Sequence, residues 1–225
     1  MRFIRKVTAL FWKDALSEFR TKESLGSMFV FALLALFIFH FAFPPGAERL
    51  SEVASGILWV SFAFASVLGL NRSFIYEKDH GCLQGLLLCP VDRSAIYLGK
   101  VVGNGVFMFI VELLILPVGS LFFHFPLLNP LPRLICIIIL STVGFSAVGT
   151  LLSAISVNTR AREVMLPVLF FPVILPVILA AVKSTTNVLA GKPFSEIGSW
   201  LVLLAGFDII FLVISPLIFE YVVEE

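Results

Sequence analysis

The sequence predicts an all-α integral membrane protein: six transmembrane helices, preceded by an N-terminal amphipathic helix lying in the membrane interface. Three observations predict it. Hydrophobic residues make up 59% of the 225 residues and charged residues only 14%, with a mean hydropathy of +1.04, which is too apolar for a soluble globule of this size. The apolar residues fall into runs long enough for a bilayer core of about 30 Å, which takes roughly 20 helical residues. Basic residues gather in alternate connections, as they do in multi-pass membrane proteins.

Residues 3–20 read as the interfacial helix. Ile4, Val7, Phe11, Ala15 and Phe19 share one face, and Lys6, Lys13, Ser17 and Arg20 share the other. Lys13, Asp14, Glu18 and Arg20 interrupt any apolar core, so this segment is not expected to be a cleavable signal peptide. The six spans are predicted at 25–43, 53–70, 101–123, 134–157, 164–182 and 197–219. Pro44-Pro45-Gly46 and the polar stretch 48–52 separate the first two. Pro167, Pro172 and Pro176 lie in the fifth, which predicts a kink or break with freed carbonyls satisfied by neighbouring helices. The connections at 44–52, 124–133 and 183–196 are far shorter than the roughly 50 residues of a small folded domain. Residues 1–225 therefore form one membrane domain, with no internal repeat.

Arg2, Arg5, Lys6, Lys13, Arg20, Lys22, Arg72, Lys78, Arg93, Lys100, Arg160 and Arg162 fall on one side of this topology. Arg49, Arg133, Lys183 and Lys192 fall on the other. Both termini and the segment 71–100 are accordingly expected in the cytoplasm. That segment is a charged island between two apolar runs. Glu77, Lys78 and Asp79 open its first half, Leu83, Leu86 and Leu87 follow, and Pro90 stops it. Ile75, Cys82 and Leu86 fall near one face at helical spacing, so a short amphipathic helix is expected there. Gly81 and Gly85 weaken it by about 1 kcal/mol each relative to Ala, so it needs a partner surface.

The search for chemistry excludes more than it finds. Gly99-Lys100 and Gly191-Lys192 lack the earlier glycine of a phosphate loop, so the chain is expected not to hydrolyse ATP and to be no enzyme. Cys82, Cys89 and Cys136 have neither zinc nor haem-attachment spacing, no metal ligand set is expected, and a net charge of +1 gives no reason to expect nucleic acid. Glu112 in the third span and Asp208 in the sixth are costly in a bilayer, and each is a candidate proton or substrate relay or a helix-packing group. His40 and His124 lie near the outer ends of the first and third spans and are candidate haem ligands, or structural residues of the headgroup zone. Gly99 and Gly103, and the run Gly144, Ser146 and Gly149, favour close helix packing. The link 158–163, with Arg160 and Arg162, reads as an inner turn anchored at the phosphate level or as a contact for a cytoplasmic partner.

The pattern of 77–93, followed by Gly99-Lys100, resembles the first cytoplasmic loop of six-span ABC-exporter membrane subunits. There the loop carries a coupling helix that docks into the ATP-binding subunit. Glu77, Gly81, Leu83, Leu86, Leu87, Pro90 and Arg93 match that pattern in type and order. Further residues bring the chain nearer still to the B membrane subunits of the cytochrome c maturation haem-exporter complex. These are Lys13-Asp14, Glu18-x-Arg20-x-Lys22-Glu23, Leu58-Trp59-Val60, Asn71-Arg72-Ser73-Phe74, Arg160-x-Arg162-Glu163 with Leu166-Pro167, and Phe207-Asp208. The likeness covers essentially the whole chain.

The resemblance implies a type V exporter-like fold in a bacterial inner membrane, paired as a homodimer over ATPase subunits. It implies as partners a cytoplasmic ATP-binding subunit, a multispanning haem-handling subunit with a tryptophan-rich motif, and a small single-span subunit. It further implies indirect dealings with a periplasmic haem chaperone. Trp12, Trp59 and Trp200 are scattered here, so haem is expected as possible cargo rather than as a tightly bound cofactor, and ATP acts through the partner subunit. Haem export and release of the haem-loaded chaperone both fit. The residues taken alone also fit an ABC permease for a lipid, polysaccharide or drug, or a proton-driven transporter using Glu112 and Asp208.

Overall fold

The computed structural model describes residues 2–43, 50–79, 81–89, 91–157, 159 and 161–222. The described residues form helices α1 (Arg2–Thr21), α2 (Glu23–Ala42), α3 (Leu50–Asp79), α4 (Cys82–Leu88), α5 (Arg93–Phe123), α6 (Leu131–Ser156), α7 (Arg162–Leu189) and α8 (Phe194–Val222). Six of them, α2, α3 and α5 to α8, are long and apolar enough to cross a bilayer, so the chain is an all-α, multi-pass membrane protein. The predicted link Asn158 and Arg160 lies outside the described residues, as does the Arg162 side chain.

The bundle is layered around α3 and α6. In the membrane-crossing stretch of each, 72% of residues are buried inside the protein, against 17% for α2 and α8, which present mainly apolar side chains outward. Lipid tails are as apolar as leucine, so packing rather than water exclusion must hold such helices together. Glycines supply the packing. Gly149 of α6 lies flat against Leu70 of α3, and Gly69 of α3 against Met28 of α2. A methyl group at Gly119 would fall 2.7 Å from Leu58. Trp59, Phe62, Phe145 and Phe170 fill the space between α3, α6 and α7. Polar side chains stitch α5 and α3 to α6: Asn104 donates to the Thr150 hydroxyl at 3.0 Å, Ser153 to the Leu70 carbonyl at 2.8 Å, and Tyr97 to the Ala147 carbonyl at 2.8 Å.

α7 passes through Pro167, Pro172 and Pro176 as one helix, so these residues do not break it. Each proline removes one donor from the ladder. The membrane supplies no water to break the remaining bonds.

The apolar face that periodicity assigns to α1 is divided between the protein and the outer surface. Ala15 is buried, but Ile4 and Phe19 are exposed, together with Trp12 and Leu16. Leu10 and Asp14 turn inward instead: a methyl group at Gly99 of α5 would fall 2.8 Å from Leu10, and one at Gly103 would fall 3.8 Å from Asp14. The predicted small-residue motif of α5 thus receives α1 rather than another span. Asp14 meets the polar floor of the bundle through Lys100 at 2.9 Å, and Ile4 and Phe19 face away from the protein.

Candidate functional site

α3 does not end where its apolar run ends. It continues to Asp79, and α5 begins at Arg93, so both helices project beyond the predicted spans and carry α4 between them. Gly81 separates α3 from α4 with φ of 67°, a left-handed conformation natural to glycine. The amphipathic helix expected across Gly81 is therefore confined to Cys82–Leu88. On it, Leu86 is half-buried, while Gly81, Gly85, Leu88 and Cys89 are exposed. The side chains of Leu83 and Leu87, and Pro90, lie outside the described residues.

Glu77, expected at an outward docking surface, points inward instead and is 4% exposed. Burying a carboxylate is costly unless it is paired, and here the pairing is a closed ring of alternating charge. Oε1 of Glu77 accepts from Lys13 of α1 and from Lys100 of α5, the latter at 2.8 Å. Asp14 completes the ring, with one oxygen 3.1 Å from Lys13 and the other 2.9 Å from Lys100. Lys100 is buried and also lies 5.5 Å from the Phe74 ring centre. Burial alone would lower the Lys13 pKa, but the charges of Asp14 and Glu77 outweigh it and hold the ammonium above its ordinary value. The second oxygen of Glu77 has no hydrogen-bond partner among the described residues.

The neighbouring residue reaches the other way. Lys78 donates to the Val157 carbonyl at 2.7 Å, where α6 ends and the macrodipole favours a cation. At the other side of α4, Lys6 of α1 pairs with Asp92 at 3.3 Å, and Arg93 donates to the Glu220 carbonyl of α8 at 3.3 Å. The two ends of the α4 connection are thus tied to α1, α5, α6 and α8. α1 is itself fixed to α2 by a corner: Lys22 adopts φ of 54°, and the buried Glu18 accepts the Leu25 N–H at 2.7 Å, placing a negative charge at the start of α2.

A cavity of about 500 Å³ lies within this framework, between α1, the end of α3, the start of α5 and the inner side of α4. Its lining includes Arg72, paired with Glu23 at 2.7 Å, and Gly69 and Phe107.

The remaining candidates lie elsewhere and apart. Glu112 is buried within α5, where Thr142 of α6 donates to it at 2.5 Å. Asp208 is buried on α8 against Gly144 of α6, and neither of its oxygens has a hydrogen-bond partner among the described residues. His40 sits at the opposite end of the bundle from α4, its ring stacked on Phe122 at 5.0 Å and edged by Phe123. His124 is exposed and ends α5 in a left-handed conformation. Both histidines are at one rim, with the faces of His40 taken up by aromatic neighbours. Among the described residues no group of three or more His, Cys, Asp and Glu could hold a metal ion.

Sequence reasoning missed Asp14, Lys100, Lys78 and Leu88 as site residues. Lys100 and Asp14 carried a signal, since each is a charge beside or within an apolar stretch that a solvated face does not explain. Leu88 carried none.

The profile of the family described as "CcmB protein" matches residues 5–224. Curated relatives named "Heme exporter protein B" include one from Pseudomonas aeruginosa, 25% identical over 84% of each chain. One from Paracoccus denitrificans is 26% identical over 92% of this chain and 94% of its own. Another, from Rhodobacter capsulatus, is 26% identical over 76% of this chain and 78% of its own.

Proposed function

We propose, from the premise that this chain belongs to the CcmB family, that it is the transmembrane subunit of a haem-export ABC transporter and works by transmitting force through α4. Haem-exporter relatives over most of the chain support the first part. The observation that carries the second is the pair Glu77 and Lys78, adjacent residues at the foot of α3. One is bonded to α1 and α5, the other to the end of α6. A displacement of α4 is delivered through them to both sides of the bundle at once, as a rigid-body or hinge change.

In this reading α4 faces the cytoplasm, both termini are cytoplasmic and the membrane is the bacterial inner membrane. A separate ATP-binding subunit docks against the exposed side of α4, where Gly81 and Leu88 lie open. ATP drives the cycle because it binds one state of that interface more tightly than the other. The chain pairs as a dimer over two such subunits. A multispanning haem-handling subunit and a small single-span subunit complete the assembly, and the work released frees a haem-loaded periplasmic chaperone. Glu112 and Asp208 serve helix packing within this scheme.

Co-purification from native membranes tests the docking. Leu86→Asp or Gly81→Trp should cut recovery of the ATPase subunit about tenfold, the effect of losing roughly 1.4 kcal/mol, while membrane insertion is unchanged. Normal ATPase recovery with both variants would sink the assignment of α4. Orientation has its own test: Cys89, exposed at the end of α4, should react with a membrane-impermeant maleimide in inverted vesicles and not in right-side-out ones.

A further inference from the structure

The buried apolar side chains of the bundle fall into two separate cores. The buried members of the larger one end toward α4 at Leu70 of α3, Phe107 of α5 and Val148 of α6. The smaller gathers Phe74, Ile96, Tyr97, Leu151 and Phe219, with Leu10 of α1 and Leu86 of α4 packed against it. Between the two lies a layer of small and polar residues: Ser73 of α3, Gly103, Asn104 and Gly105 of α5, and Gly149 and Thr150 of α6. α8 meets α6 at Asp208 and Gly144, and nearer the outer end at Ile197 and Cys136, so the two helices run the same way. On that register α8 reaches the layer at Ser215 and Pro216.

Each helix that crosses the layer has a point of bending there. α3 carries Gly69, α5 Gly103 and Gly105, α6 Gly149 and α8 Pro216. Pro216 removes the ladder bond to the Leu212 carbonyl, and a glycine has no side chain to hold its turn against a neighbour. What crosses the layer is mainly hydrogen bonds, from Asn104 to Thr150, Ser153 to the Leu70 carbonyl and Tyr97 to the Ala147 carbonyl. Such bonds are individually weak between membrane helices, whereas close-packed cores transmit strain.

The ties of the α4 end all lie on one side of the layer. The charge ring, Lys78 on Val157 and Arg93 on the Glu220 carbonyl join that end into one body. The cavity of about 500 Å³ opens beside the layer, with Gly69, Ser73 and Asn104 in its lining, and gives this body room to turn.

We propose that α1, α4 and the adjoining ends of α3, α5, α6 and α8 move as one body on the membrane-embedded core, bending at this layer with Pro216 as the hinge of α8. A load on α4 then turns the whole end instead of shifting α4 alone. That ATP supplies the load rests on the docking proposed above. The division into two bodies does not.

Hydrogen exchange of the complex purified from native membranes, without nucleotide, tests the division. Phe219 is fully buried, and Phe219→Ala empties the smaller core. Protected amides on the α4 side of the layer should then exchange about a hundredfold faster, all together, while amides of the same helices across the layer stay protected. Faster exchange on both sides together, or in the last turn of α8 alone, would overturn the proposal. Ile96→Val is a milder loss in the same core and serves if Phe219→Ala fails to fold, with a rise of about fivefold over the same amides.

Spin labels test the movement. Cys89 on α4 and Cys136 near the outer end of α6 are exposed and lie on opposite sides of the layer. With Cys82→Ser, and labelled chains diluted among cysteine-free copies, their separation should change when a non-hydrolysable ATP analogue is added. The separation of Cys89 from a label placed on α1 by Ala9→Cys should not. Gly103→Ala with Pro216→Ala should remove most of the change, and the methyl added at Gly103 meets Asp14 at an ordinary 3.8 Å. A change between Cys89 and α1 would overturn the proposal by showing that α4 moves alone. So would an unchanged Cys89–Cys136 separation in a complex that retains its ATPase. Loss of the ATPase from the complex counts against the docking instead, and the exchange result then decides the division.

Discussion

The two ends of the bundle are held by different physics. At the α4 end the ties are ionic: the ring of Lys13, Asp14, Glu77 and Lys100, the Lys6–Asp92 and Arg72–Glu23 pairs, and Lys78 on the end of α6. At the opposite end they are aromatic and hydroxylic. His40 and Phe37 pack on Phe122, Trp59 donates to Thr185 at 2.9 Å, and the hydroxyls of Ser55 and Thr186 share a hydrogen bond of 2.5 Å. The exposed pairs Lys6–Asp92 and Arg72–Glu23 can exchange partners without leaving a group bare, because solvent stands in, whereas the buried ring cannot open without leaving a charge unpaired. Aromatic contacts have one good geometry and lose their energy with small displacements. The α4 end thus combines a costly buried ring with cheap exposed pairs, and the other end holds by contacts of a single good geometry.

Breaking the ring is the strongest challenge to this contrast. Lys100→Met leaves Glu77 and Asp14 buried with one cation in place of two. It should cost about 3–5 kcal/mol, the usual penalty for removing one partner of a buried pair, read as a fall in the unfolding midpoint of the purified protein. Adding Glu77→Gln should recover part of that loss, and no recovery would show that the four groups do not act as a ring.

Between the two ends, Gly149→Leu drives a side chain into Leu70 where α3 meets α6. Overpacking of this kind costs about 1–3 kcal/mol, and a thermal melt within error of the wild type would disprove the close approach. At the aromatic end, Trp59→Phe keeps most of the ring and removes the N–H to Thr185. Interhelical hydrogen bonds in membranes average about 0.6 kcal/mol, so the loss should be small and, unlike that of Lys100→Met, independent of salt.

The smallest effect belongs to the exposed pair Arg72–Glu23. A double-mutant cycle should give less than about 1 kcal/mol, falling as salt is added. Alkaline titration sharpens the contrast further. The Lys13 pKa is raised in the folded state above its ordinary 10.5, so its contribution is fully present below that pH and is lost as the pH rises through the higher folded value. Melting temperature should therefore hold steady from neutrality to that point, and a decline beginning near neutral pH would rule the ring out as its holder.

The sequence by itself determined the membrane class, the six crossings and the helical habit of the α4 connection. Apolar length and basic asymmetry are local quantities that no packing detail reverses, and a chain so poor in charge has no other place to put its leucines and phenylalanines. Family membership was also legible, in short motifs spread from Lys13-Asp14 to Phe207-Asp208.

Tertiary structure alone decided which way the charges face. Helical periodicity put Lys13 on the basic face of α1, opposite its apolar face, and the resemblance to exporter coupling loops put Glu77 at a docking surface. What overrules them is Lys100, whose ammonium sits at the edge of the bilayer and must find carboxylates. Asp14 and Glu77 are the ones that α1 and α3 bring within reach. The cost of an unpaired charge in a low-dielectric place is larger than the preference of one amphipathic face for lipid. It is settled between residues of three different helices, α1, α3 and α5, where no local pattern reports it.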